Sequence, residues 1–277
     1  MGYTDKIFDF QAYVQRREAN PLRKPMHIQN YAFIEDIEHQ REIAQGGLLQ
    51  QAVSLGLQAW QFAEGHRLKA KSRDIGKVRG DERMAKAWAE TCCTFEHQAL
   101  SLKIIPSQKT IFEAYGNRDG VFFGLSPAGS TLPTNALKFL YGRGIGALDN
   151  GHVPYLTLSR FIDQSTRGLW DFAMQIPDSI IHWRRSGDIT EDRAGILACH
   201  DLSVAILGIM RTELDWDNAE IMREIRRYYE GKDVDWGTPE IEQRVRALKI
   251  FMKSGIYLGS GGISISDADE QVRNMLR

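Results

Sequence analysis

The stretch LYGRGIGALDNGHVPYL, residues 140–156, restricts the possible folds of this chain more than any other. Just upstream, TNALKFLY (134–141) is built of good helix formers with no β-branched run, so a helix is expected to carry on into Gly142, Gly144 and Gly146. A glycine inside a helix costs roughly 1 kcal/mol against alanine. The plainest reading is that Gly142, Gly146 and Ala147 let two helices pack closely. Taken literally, Gly142 to Ala147 also matches the dinucleotide fingerprint G-x-G-x-x-A. That motif needs a strand before it and an acidic residue about twenty positions on; the sequence offers a helical pattern before it and Asp163 inside another after it.

Composition narrows the class. With 35 Lys and Arg against 36 Asp and Glu in 277 residues, the net charge is -1, and nothing calls for nucleic acid or an anionic membrane as a partner. Three cysteines, Cys92, Cys93 and Cys199, lack CxxC spacing, which argues against both a disulfide framework and a thiolate zinc site and fits a reducing cytoplasm. No window reaches about 18 uninterrupted apolar residues, and the charged N-terminus does not read as a signal peptide.

Along the chain, residues 1–30 read as a polar arm with Pro21 and Pro25, 31–254 as the main domain, and 255–277 as a linker and a C-terminal helix. Residues 31–63 have helical spacing that Gly46, Gly47 and Gly56 interrupt, 66–86 are charge-rich and solvated, and 84–103 return to a helical pattern. KTIFEAY and GVFFGLS, joined by GNRDG, form a β-hairpin in which Asn117 and the Asp119–Gly120 pair supply positive φ. After a loop over 127–136, helix is expected to about Ser254, then a flexible YLGSGGISIS and a helix capped by Ser266 with Asp269 three residues on. The class is α-rich α+β with one small sheet.

Two stretches together resemble the M48 family of zinc metallopeptidases. LYGRGIGALDNGHVPYLTL keeps the frame of that family's G-H-E-L-G-H helix and the following G-H: Gly142, Gly146, Gly151, His152 and Val153 agree, while Arg143 and Ala147 stand where the two ligand histidines would be and Gly144 where the general base would be. WRRSGDITEDRAGILAC, residues 183–199, resembles the second active-site helix: Asp188 takes the place of the ligand Glu, and Asp192-Arg193-Ala194-Gly195 keeps the D-R-A-G ending. The resemblance spans roughly 90–215 and implies a zincin-like helical domain whose hairpin, with Phe122 and Phe123, edges a substrate cleft. It also implies a degenerate site, because Arg has no lone pair for a metal, Gly no base and Ala no ligand atom. No cofactor is then expected. The alternative is zinc in an active peptidase held by His152, His182 and Asp188, with Asp192 near.

Charge sharpens the expectation. Carboxylates left in a partly buried pocket need a partner, so Arg143 is expected to contact Asp188 or Asp192. If instead Asp192 and Arg193 merely pair along their own helix, that contact is not needed. A scaffold without ligands suits a binding or structural subunit whose cleft, at Phe122, Phe123, Arg143, Asp188 and Asp192, holds a protein partner or peptide segment in an oligomer or larger complex. Of the other chemistry-bearing residues, Cys92 and Cys93 with His97 read as a helix with a surface histidine, and His200–Asp201 as a helix end. Trp170, Phe172 and Trp183 read as core, and Tyr228, Tyr229 and Trp236, if exposed, as a partner surface.

Overall fold

The computed structural model describes residues 31–45, 57–58, 60–76, 80–98, 100–107, 109, 112–117, 120–157, 178–214 and 216–277. The 1–30 arm, the glycines at 46, 47 and 56, and Trp170 and Phe172 lie outside the described residues. Helix α1 (Ile34–Gln45) comes first, and a π-turn over Gln61–Gly65 runs into the solvated α2 (His66–Lys71). Strand β1 (Arg73–Asp74), helix α3 (Glu82–Thr94) and strands β2 (Leu102–Ile104), β3 (Phe112–Asn117) and β4 (Gly120–Leu125) follow. The rest is helical: α4 (Pro127–Ser130), α5 (Thr134–Asp149), α6 (Asp178–Cys199), α7 (Leu202–Glu213), α8 (Asn218–Tyr229), α9 (Pro239–Phe251), α10 (Gly255–Leu258) and α11 (Ile265–Leu276). The chain is therefore α-rich α+β, with a four-stranded mixed sheet among the described residues.

The strand order is β1-β2-β4-β3, with β4 parallel to β2 and antiparallel to β3. The expected hairpin is present in the register Phe112↔Leu125 to Asn117↔Gly120. Gly116 takes a positive φ (139°), whereas neither Asn117 nor Gly120 is in that region, and Asp119 lies outside the described residues. A Cβ at Gly116 would meet the Gly120 carbonyl, so the tight crossing of the two strands requires glycine there. The helix expected over 84–103 stops at Thr94, where Glu96 takes φ 56°, and Leu102–Ile104 becomes strand β2, paired with β1. Strands of two and three residues are too short to show alternation, so the sequence pattern missed them.

The central helix is α5, buried on nearly all sides from Ala136 to Ala147. Its glycines let α6 come very close. A Cβ on Gly142 would lie 2.6 Å from the Ala194 carbonyl oxygen, one on Gly146 2.7 Å from the Ala194 methyl, and one on Gly195 2.6 Å from the Phe139 ring. Ala147 extends the contact, packing against Trp183 near the start of α6 and against Leu156. Because Gly142 and Gly144 sit inside a helix rather than in the turn before one, they cannot cradle a pyrophosphate.

The C-terminal segment differs from the expected tail. Lys253 to Ile263 close into a loop around α10, with Gly255 N–H donating to the Ile263 carbonyl at 3.0 Å. The terminal helix is capped by Ser264, in a capping box with Asp267, and not by Ser266. Its Val272 is fully buried with Phe33, Ile189 and Ala247, so α11 is part of the body and not a free extension.

Replacing Gly195 with Val is expected to lower stability by at least the ~1–3 kcal/mol typical of overpacking. In urea denaturation the midpoint should fall with the slope unchanged, while Gly120→Ala, whose added Cβ meets nothing, should leave it in place.

Candidate functional site

Asp188, Glu191 and Asp192 lie at i, i+3 and i+4 of α6, so they share the face turned toward α5. Arg143 of α5 reaches into that face. Its Nη2 donates to Asp188 Oδ1 at 2.9 Å and to Glu191 Oε2 at 3.3 Å, and its Nε lies 3.0 Å from Asp192 Oδ1. The contact expected of Arg143 is thus made to both aspartates, with Glu191 added. On the far side Arg244 of α9 grips Asp192 two-pronged, Nε to Oδ2 at 2.7 Å and Nη2 to Oδ1 at 2.8 Å, and sends Nη1 to Glu213 at 2.8 Å. Burial opposes charge on both aspartates. At Asp188 the field of Arg244, Arg143 and Arg184 outweighs burial and holds the carboxyl below its usual range, whereas at Asp192 burial wins and the carboxyl is pushed up.

Asp192 and Arg193 do not pair along their own helix. Arg193 turns the other way, fully buried, with its guanidinium about 5 Å from the rings of both Phe33 and Phe251 and 2.7 Å from Asp269 of α11.

The same cluster continues through His152. Gly151, at φ 71°, ends α5 and turns the chain back, with His152 N–H donating to the Ala147 carbonyl at 2.8 Å. The imidazole is then fully buried, Nδ1 at 3.0 Å from Glu191 Oε1 and Nε2 at 3.0 Å from Asp36 Oδ2 of α1. Asp36 also accepts from Gln40 at 2.9 Å and from the Trp183 indole at 3.1 Å. Burial alone lowers a histidine, but the hydrogen bonds to Asp36 and Glu191 raise His152 to about 9, which makes it a cation near neutral pH. Asp36, Glu191, Arg244 and Glu213 were not singled out from the sequence. Glu191 carried a signal, three residues after Asp188 on one helical face; the others are brought in by tertiary packing.

A cleft of about 130 Å³ opens beside the cluster, lined by Phe112, Glu113 and Ala114 of β3, Arg143 and Gly144 of α5, Arg184, Asp188 and Glu191 of α6, and Glu213 of α7. Strand β3 forms this wall because it ends the sheet order, with Gly116 N–H donating to Thr157 Oγ1 at 3.3 Å. Phe122 and Phe123 do not line it. They belong to the inner strand β4, where Phe123 packs on Trp88 and Phe112, and Phe122 stacks on Tyr115.

The described residues of this cluster do not present a ligand set for a catalytic zinc. A guanidinium occupies the position between Asp188 and Asp192, Asp192 is taken by Arg244, and both His152 nitrogens face carboxylates. At Gly144 a Cβ would lie 2.4 Å from the Phe112 ring, so that position has no room for a general base. Among the described residues no group of three or more His, Cys, Asp or Glu is placed to hold a metal. The His182 side chain lies outside the described residues. His97 is not a plain surface histidine, since it pairs with Asp149, and burial pushes the Cys92 thiol up, away from a nucleophilic thiolate. His200, at φ 56°, ends α6, and Asp201 caps α7 by accepting from the Ser203 and Val204 N–H groups.

Arg143→Met is expected to destabilise by about 3–5 kcal/mol, as for a broken buried pair. The loss should be largest at neutral pH and shrink in acid, where the deserted carboxylates take up protons. His152 contributes stability that is fully present below about pH 6.5 and lost as pH rises through about 9. His152→Gln should flatten the stability profile across that window in chemical denaturation. No protein-family model, curated protein or solved structure matches the chain.

Proposed function

We propose that this chain is a catalytically inactive relative of the M48 peptidases, a pseudopeptidase that works as a cytoplasmic binding or structural subunit of a protein assembly. The observation that carries this reading is the Arg143 guanidinium seated among Asp188, Glu191 and Asp192, where the family's pattern would put a metal. A bound dication there would meet a fixed positive charge at close range, and a metal-bound water would find no base at Gly144.

Supporting it further, the two helices that the resemblance singles out, α5 and α6, pack directly on one another, and the cleft beside them has an end strand as one wall. This cleft has charged groups of both signs and an apolar floor at Leu140, Ala147 and Leu156, a combination that suits a polypeptide segment. Three cysteines outside any disulfide and the absence of any described helix long and apolar enough to cross a membrane are compatible with that setting.

Elemental analysis of the full chain, dialysed with zinc and then without, is expected to give far less than one zinc per chain, with no hydrolysis of quenched peptide libraries. Stoichiometric zinc lost on His152→Gln, together with peptide cleavage, would replace this reading with an atypical metallopeptidase.

A further inference from the structure

Helix α8 lies away from the cleft and is strongly two-faced. Ile221, Glu224 and Ile225 are buried, while Ala219, Met222, Arg226 and Tyr229 are all exposed. Those four are spaced three, four and three residues apart, which is the seam of a helix that packs against another helix. Among the described residues, Met222 and Tyr229 are two of the few large apolar side chains left in water, at 48% and 60% exposure. Tyr228 and Trp236 are half-buried and prop the end of the helix, Tyr228 edge-on to both Trp236 and Tyr229.

The stripe is also basic. Arg223 and Arg227 flank it, each leaning on the single buried carboxylate of Glu224 at 3.4 and 3.5 Å. Lys249 of α9 sits over the Tyr228 ring at 5.1 Å. Glu230 is taken by Lys232 at 2.7 Å, which leaves the face with more guanidinium than carboxylate charge. Arg, Tyr and Met are the side chains enriched where proteins bind one another.

We propose that this face docks an amphipathic helix of another protein, one with an apolar seam flanked by carboxylates. Charge decides among the occupants. A second copy of the chain laid on the same face would set Arg223, Arg226 and Arg227 against their own equivalents, whereas an acidic helix pairs Arg226 at the centre of the seam and covers Met222 and Tyr229. The proposal does not depend on the reading of the cleft.

The test uses the full chain and a fluorescent three-heptad peptide with Leu at the seam and Glu beside it, followed by anisotropy. Binding is expected, weakened by added salt and about tenfold weaker for Met222→Glu and for Arg226→Glu, both with unchanged thermal midpoints because both side chains are exposed. Exchanging Glu for Lys in the peptide should abolish binding to the natural chain and restore it to Arg226→Glu. The proposal is overturned if the acidic peptide does not bind, or if the two substitutions leave binding intact. Light scattering that finds a dimer lost on Met222→Glu would overturn it equally, by giving the face to a second copy.

Discussion

The Asp192 carboxylate is taken out of water in the middle of the molecule, and much of the architecture is what that placement demands. A carboxylate so buried is tolerated only if its oxygens are filled. Arg244 fills them two-pronged from α9, and Arg143 adds its charge from α5. Each guanidinium then needs its own remaining acceptors, which brings in Glu213 on one side and Asp188 and Glu191 on the other. Glu191 passes the demand to His152, and His152 to Asp36 on the first described helix. One continuous polar chain thus ties α1, α5, α6, α7 and α9 together through the core. Removing any one member strands its neighbours.

Such a network can form only if α5 and α6 are close enough for an arginine on one to lie among the carboxylates of the other. The glycines provide that closeness, and the same small residues that weaken α5 as an isolated helix let it pack tightly on α6. Gly144 has a second effect. By leaving room for the Phe112 ring, it lets β3 approach α5 and form one wall of the cleft. Packing economy and cleft shape therefore come from one short run of sequence.

Much of this was legible beforehand, and the reasons for the rest are local. The helix through Gly142–Ala147, the hairpin, the terminal helix though not its cap, and the Arg143 contact follow from periodicity and the need to neutralise Asp188 and Asp192. Strands β1 and β2 escaped because two or three residues carry no pattern. The resemblance sets Phe122 and Phe123 at the cleft, but a hairpin does not declare which of its strands ends the sheet; pairing of β4 with β2 decides that, over a separation that no local signal spans. Asp36, Arg244 and Glu213 were invisible for the same reason, since each lies in an ordinary charged helix and acquires its role only by where that helix docks.

The contact between Arg193 and Asp269 bears on how the chain comes into being. Arg193 lies fully buried between Phe33 and Phe251, and its only carboxylate partner among the described residues is supplied by the terminal helix. During synthesis, every residue up to Asp269 must leave the ribosome before that cation can be neutralised. Until then, a nascent chain that closed its core would trap an uncompensated charge. Compaction of the preceding helices around Arg193 is therefore disfavoured until the segment that carries Asp269 has been made.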